Sequence, residues 1–201
     1  MHGGPPGGPG RPTRRDLLGA GGAVLTALAG CLGSPAADTE TVTSTPTESL
    51  SVTSPALEAG EQVLSEFTCD GADRSPPLEI GDVPEDAVSL AVVVDDPDAP
   101  GGTFTHWLLW NLPPDRTSIP KGVPAEPVVD SLGGARQGAN DFGDIGYGGP
   151  CPPSGEVHTY RFTAYALDGT LAVDPGASAD AVLPAIEDRR IAFGRLRAEY
   201  G

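Results

Sequence analysis

Lysine is nearly absent from this chain of 201 residues, in which Lys121 stands alone beside 11 arginines. The 28 aspartates and glutamates outnumber the 12 basic residues and give a formal net charge of −16 at pH 7. Neutralisation of phosphates by basic side chains dominates nucleic-acid affinity, so this balance argues against a nucleic-acid partner. Scarce lysine with excess acid also favours adaptation to high salt, where salt screens the repulsion between carboxylates. Simple solubility is the alternative explanation.

The chain also lacks an apolar run long enough to span a membrane. The uncharged stretch Gly19–Gly30 would rise about 18 Å as a helix, against about 30 Å for a bilayer core. The stretch follows Arg14-Arg15, and a basic pair before a short apolar run is typical of an export signal, here of the twin-arginine type. The alternative is a buried apolar helix.

The stretch ends in Leu28-Ala29-Gly30-Cys31, which resembles a lipobox, the motif whose cysteine is lipidated. We therefore expect a signal peptide over residues 1–30, lipidation at Cys31 and a location at the extracellular face of the cell membrane. Residues 31–48, which are rich in Ser, Thr, Pro, Asp and Glu, would form a flexible tether. A folded domain would occupy residues 49–201.

Within that domain, apolar clusters alternate with turn signals. Val88–Val94, Phe104–Leu112 and His158–Leu167 have the composition and alternation of strands. Only the tail, at about residues 178–193, has a helical pattern, with Pro184 expected in its first turn. Many strands with almost no helix predict an all-β fold, a two-sheet antiparallel sandwich.

Motifs for several kinds of catalysis are missing. The chain contains no Gly-x-Ser-x-Gly, no dinucleotide fingerprint, and no Cys-x-x-Cys or His-x-x-x-His spacing for a metal. The sequence therefore predicts no catalytic residue, no cofactor and no metal site, although two histidines with Asp96 could in principle perform acid–base chemistry.

Those two histidines, His106 and His158, lie at the edges of predicted strands, each after a loop rich in Pro or Gly. Proline fixes φ and glycine adopts conformations closed to other residues, so such loops can be rigid. We expect exposed backbone N–H groups there, suited to an oxyanion, with the two imidazoles beside them. A bound anion would raise the pKa values of the imidazoles.

Two blocks of unusual composition contain these residues. The first comprises Asp96-Pro97-Asp98-Ala99-Pro100, His106-Trp107 and Asn111, and the second comprises Gly146-Tyr147-Gly148-Gly149-Pro150-Cys151-Pro152-Pro153, His158 and Tyr160. They resemble the signature blocks of the phosphatidylethanolamine-binding protein family. The similarity is greatest to its prokaryotic branch, the Raf kinase inhibitor-like proteins, and covers about residues 49–200. It includes Asn140-Asp141-Phe142-Gly143, outside both blocks.

The resemblance implies an antiparallel β-sandwich with a short C-terminal helix and a small pocket for phosphate or carboxylate groups. His106 and His158 would donate hydrogen bonds to the anion, and Asp96 would orient or charge a histidine, or contact an ammonium group. Asp98 would be a further acid or a turn cap, and Tyr147 and Trp107 would line the rim or belong to the core. The implied ligand-binding residues are Asp96, His106, Gly148, Gly149, Pro150, Cys151, Pro152, His158 and Tyr160.

Besides Cys31, the chain contains only Cys69 and Cys151. Export would place them in a compartment that permits disulfides. A bridge between them is one hypothesis, and two buried free thiols are the other.

The leading functional hypothesis is a lipid-anchored binding protein for a small anionic ligand, such as a lipid head group. The alternative, taken from the activities of some relatives, is inhibition or regulation of a protease or kinase. A hydrolase is the third and least favoured class.

Overall fold

The computed structural model describes residues 47–201, which form ten strands and one α-helix. The strands β1 to β10 are Thr47–Glu48, Ser51–Thr53, Leu78–Gly81, Ser89–Asp96, Phe104–Leu112, Ser118–Ile119, Val128–Val129, Ala135–Gln137, His158–Leu167 and Arg190–Tyr200. The helix α1, Ala179–Glu187, lies between β9 and β10.

The strands form two sheets. The larger sheet has the order β1-β10-β9-β4-β5-β8-β7, and the smaller has the order β2-β3-β6. The strand pairs are antiparallel, apart from the parallel pair of β1 with β10. The predicted all-β antiparallel sandwich is therefore confirmed.

The central strand β4 is apolar on both faces because both faces of the large sheet are covered. Leu90, Val92 and Val94 belong to the core shared with the small sheet. Ala91 and Val93 belong to a second core that includes Val182 and Ile186 of α1. The valine run of β4 predicted this burial on both faces. Strands β5 and β9 have the predicted bounds.

The C-terminal prediction was wrong in part. The helix ends at Glu187 instead of continuing to residue 193, and β10 follows it as the last element, so α1 is not C-terminal. In β10 the buried residues Ala192, Gly194, Leu196 and Ala198 alternate with less buried ones, and this period of two is that of a strand. Pro184 lies inside the helix, not in its first turn.

The N-terminal strand β1 pairs with Ala192 and Phe193 of β10. The sheet therefore begins with Thr47–Glu48, at the end of the segment predicted as a tether. The rest of that tether, the predicted signal peptide and Cys31 lie outside the described residues. Within residues 47–201, no helix is both long and apolar enough to cross a membrane.

Candidate functional site

The antiparallel register of three central strands creates one polar edge in the large sheet. Strand β4 ends at Asp96, where β5 begins at Phe104 and β9 begins at His158. Asp95 is opposite Thr105 on one side and Arg161 on the other, so the three strand ends lie together. Residues separated widely in sequence therefore meet at this edge.

A cavity of about 360 Å³ opens at this edge. Its floor and walls combine three polar side chains with apolar and proline residues. The lining residues are Asp96, Ala99, Pro100, Phe104, His106, Phe142, Cys151, Pro152, Pro153 and His158. Asp96, His106, Cys151, Pro152 and His158 are thus brought together, whereas Gly148, Gly149, Pro150 and Tyr160 do not line the cavity.

Asp96 and His158 form a buried ion pair. Nδ1 of His158 donates to Oδ2 of Asp96 at 2.7 Å, and both side chains are 4% exposed. The other oxygen of Asp96 accepts the backbone N–H of Asp98 at 2.8 Å. The hydrogen bond to Asp96 is the main cause that raises the pKa of His158, which favours the imidazolium.

The second nitrogen of His158 has its own acceptor. Nε2 donates to Oε2 of Glu156 at 3.2 Å, and the Glu156 side chain is 58% exposed. This contact also raises the pKa of His158. Glu156 does not line the cavity and was not expected in the site; the sequence offers no signal for its role besides its position two residues before the histidine.

His106 has a different protonation pattern. Its Nδ1 lies 2.7 Å from the carbonyl oxygen of Gly148, and since a carbonyl only accepts, Nδ1 must carry the proton. Burial lowers the pKa of His106, which favours the neutral ring. Its Nε2 then bears a lone pair and accepts a hydrogen bond. In the neutral ring Nε2 of His106 is therefore an acceptor, whereas both nitrogens of His158 carry protons in the imidazolium.

Two amides of the Gly/Pro loop are already used within the protein. The amide of Gly148 donates to the carbonyl of His106, and the amide of Gly149 donates to Oδ1 of Asp73 at 2.6 Å. Pro150 and Pro152 have no N–H to offer. Gly148 and Gly149 therefore do not supply the free N–H groups that were expected of this loop.

The two glycines are required for packing. A Cβ at Gly148 would come within 2.7 Å of the Phe142 ring, and one at Gly149 would collide with the carbonyl oxygen of Phe67. Gly148 also holds His106 in place through its carbonyl. Their contribution to the site is therefore indirect.

Tyr160 lies behind the cavity. Its ring packs against that of His106 with 5.2 Å between the ring centroids and an interplanar angle of 81°. Its hydroxyl is buried and makes no well-formed hydrogen bond within residues 47–201, although the backbone amide of Cys151 lies close enough to lower its pKa. Burial raises the pKa of Tyr160, so the hydroxyl stays protonated. Tyr160 supports His106 in this structure instead of lining the cavity.

Asp98, Trp107 and Tyr147 make contacts that hold parts of the fold together. Asp98 Oδ2 accepts the amide of Thr159 at 2.9 Å and so fastens the loop after β4 to β9. Trp107 is buried and donates to Gln137. Tyr147 donates its hydroxyl to the carbonyl of Phe67 at 2.8 Å. The suggested role of Tyr147 and Trp107 as rim residues is therefore not borne out by the geometry.

Phe104 and Phe142 form the apolar side of the cavity, a role that sequence reasoning missed. Their ring centroids are 4.7 Å apart, and Phe142 is 48% exposed. The neighbouring Asp141 accepts the amide of Thr105 at 2.6 Å, which fixes the loop to β5. The block Asn140-Asp141-Phe142-Gly143 was the available signal, because the family resemblance includes it.

Cys151 occupies the cavity wall as half of a disulfide. It is bonded to Cys69, 82 residues earlier, with 5.4 Å between the Cα atoms. The amide of Cys69 also donates to the carbonyl of Pro150 at 3.1 Å. This arrangement corresponds to the first of the two hypotheses for these cysteines.

Comparison with known proteins agrees with this architecture. Residues 53–201 match the family described as phosphatidylethanolamine-binding protein. A UPF0098 protein of Pyrococcus horikoshii is 50% identical over 141 residues, which are 70% of this chain and 71% of that protein. The chain therefore belongs to the phosphatidylethanolamine-binding protein family.

Two further relatives extend the comparison. Escherichia coli YbcL, described as a new member of the mammalian family, has a crystal structure with a TM-score of 0.71 and 36% identity, covering 76% of this chain and 98% of its own. A Mycobacterium tuberculosis protein named as a candidate lipoprotein, LppC, is 36% identical over 198 residues, or 91% of this chain and 94% of that protein.

Proposed function

We propose that this protein binds a small ligand carrying a phosphate or carboxylate group in the cavity at the ends of β4, β5 and β9. The observation that carries the proposal is the buried ion pair of Asp96 with His158, which favours a charged imidazole on the cavity wall. A desolvated cation of this kind attracts an anion more strongly than an exposed one would.

The two histidines offer complementary hydrogen-bonding groups. His158 donates through Nε2, and neutral His106 accepts through Nε2. A ligand group with both an anionic oxygen and an O–H or N–H suits the pair, and a monohydrogen phosphate ester has both. Phe104, Phe142 and the prolines would contact an apolar portion of such a ligand.

Binding without catalysis fits the contents of the cavity. Cys151 is committed to a disulfide and has no thiolate for nucleophilic attack. Both nitrogens of His158 face carboxylates, so only His106 keeps a lone pair that a general base would need. Inhibition of a protease or kinase is the alternative to be tested.

The decisive variants are His158→Asn and His106→Asn. An asparagine amide can replace Nδ1 as the donor to Asp96 or to Gly148 but lacks the Nε2 position. Inorganic phosphate should raise the melting temperature of the wild-type protein through its binding to the native state. Each variant should fold and should lose most of this shift. An unchanged shift in both variants would refute the proposal, and protease inhibition that survives in both would favour the alternative.

We also propose that the chain is exported by the twin-arginine route and anchored through a lipidated Cys31 at the extracellular face of the membrane. The support comes from the sequence of residues 14–31 and from similarity to LppC, whose name marks it as a candidate lipoprotein. Cys31→Ser should abolish metabolic labelling with a fatty acid and release the protein from the membrane fraction. A labelled Cys31→Ser protein would contradict lipidation at this residue.

A further inference from the structure

Glu156 occupies the hydrogen-bonding position that a bound anion needs. His158 has two N–H groups, and the one on Nδ1 is committed to Asp96 at 2.7 Å. The other, on Nε2, donates to Glu156 at 3.2 Å. An anion that bonds to His158 therefore meets the Glu156 carboxylate at the same nitrogen.

The two carboxylates that contact His158 differ in how firmly they are held. Charge-assisted N–H···O bonds are usually about 2.7–2.9 Å long, so the contact of Asp96 is of normal length and that of Glu156 is long. The Asp96 side chain is 4% exposed, whereas Glu156 is 58% exposed. Water can solvate Glu156 when it leaves, and so its displacement costs little.

The negative charge of Glu156 strengthens its competition with an anionic ligand. No lysine or arginine belongs to the residues that line the cavity, so His158 is the main positive group available there. Glu156 pairs with that charge and repels a second anion approaching it. The protein thus contains its own competitor for the site.

We propose that Glu156 is an internal competitor, an anion that a ligand must displace from Nε2 of His158. The inference rests on the proposed function of the cavity. A ligand with a simple carboxylate would only exchange one carboxylate for another at Nε2 of His158, so its gain in binding free energy would be small. A phosphate monoester brings more charge and a P–O–H group, which suits the acceptor Nε2 of His106, so it gains more from displacing Glu156 than a carboxylate does.

The test compares Glu156→Ala with Glu199→Ala. Glu199 is an exposed residue of β10 opposite Thr159, and no side-chain hydrogen bond or ion pair involves it in residues 47–201. The two variants lose the same charge near the same strand end, but only the first loses a contact with His158. Isothermal titration would measure the affinities of inorganic phosphate and acetate, and NMR would measure the pKa of His158 in the absence of ligand.

In the wild-type protein phosphate should bind more tightly than acetate. Glu156→Ala should raise the affinities for phosphate and for acetate by about threefold to fivefold, which is the scale of an exposed ion pair. The factor should be similar for the two ligands because the same contact is removed. It should also lower the pKa of His158. Glu199→Ala should change neither quantity.

The inference is overturned if Glu156→Ala leaves the His158 pKa unchanged, because the contact would then be absent in solution. It is also overturned if the wild-type protein binds phosphate and the variant gains no affinity, or if acetate binds as tightly as phosphate. If neither protein binds phosphate while the His158 pKa does fall in the variant, the proposed function fails, and this inference fails with it.

Discussion

Asp96 accepts a hydrogen bond from Nδ1 of His158 at 2.7 Å, in a pair that is almost fully removed from water. The aspartate is the last residue of β4 and the histidine is the first of β9, so the pair also joins two central strands. Its geometry links the stability of the fold to the protonation of the site.

Asp96→Asn should therefore destabilise the protein in a pH-dependent way. The folded-state pKa of His158 is raised above its unfolded value, so the stabilisation is complete below the unfolded pKa of about 6.5 and is lost as pH rises through the folded pKa. The variant lacks this contribution. Its deficit in the free energy of unfolding should be about 2 kcal/mol near pH 6 and smaller at alkaline pH. Urea unfolding across this range measures it, and a constant deficit would contradict the assignment.

The strand pattern and the family resemblance predicted most of the fold and half of the residues that line the cavity. β5 and β9 follow directly from their apolar and alternating residues, and their first residues, Phe104 and His158, lie at the cavity. Strand β10 was missed because Ala192, Arg195 and Leu196 are good helix formers. Pairing with β9 along its length overrides that local preference.

The hydrogen-bond partners of the Gly/Pro loop could not be predicted from the sequence. Nothing in the composition of the Gly/Pro loop indicates that the amides of Gly148 and Gly149 are already used, or that the carbonyl of Gly148 orients His106. These contacts depend on side chains from distant segments, such as Asp73. The amides of Gly148 and Gly149 do not have the expected donor role for this reason.

Tyr160→Phe tests whether the tyrosine hydroxyl has a function. The hydroxyl is buried without a well-formed hydrogen bond in the described part of the chain, and an unsatisfied buried polar group costs about 1–3 kcal/mol. Its removal should leave stability unchanged or raise it by about 1 kcal/mol, and phosphate binding should persist because the ring still supports His106. Chemical denaturation and calorimetric titration give the two quantities. A large loss of phosphate affinity in a folded variant would show that the hydroxyl contacts the ligand.

The Cys69–Cys151 disulfide should stabilise the fold and shape the cavity. Its cysteines are 82 residues apart, and constraint of the unfolded chain by a loop of this size is worth about 4 kcal/mol on the chain-entropy model. Cys69→Ala with Cys151→Ala should therefore lower the free energy of unfolding by about that amount and weaken phosphate binding. Denaturation with and without reductant measures the change in the free energy of unfolding. Reductant should destabilise the wild-type protein and leave the double variant unchanged.

The strong acidity predicts that salt stabilises this protein. With 28 acidic and 12 basic residues, many carboxylates lack a cationic partner, and their mutual repulsion opposes the compact state. The Debye length falls from about 30 Å at 0.01 M to about 3 Å at 1 M, so added KCl should raise the free energy of unfolding steeply over this range.

A charge-reversal variant separates this screening from other effects of salt. Glu85 and Asp86 are exposed neighbours in the turn before β4. Glu85→Lys with Asp86→Lys reduces the net negative charge by four, so the double variant should be more stable than wild type in dilute buffer. The difference should vanish at about 1 M KCl, where the repulsion is already screened. Equal wild-type stability at both salt concentrations would show that the excess of carboxylates serves solubility alone.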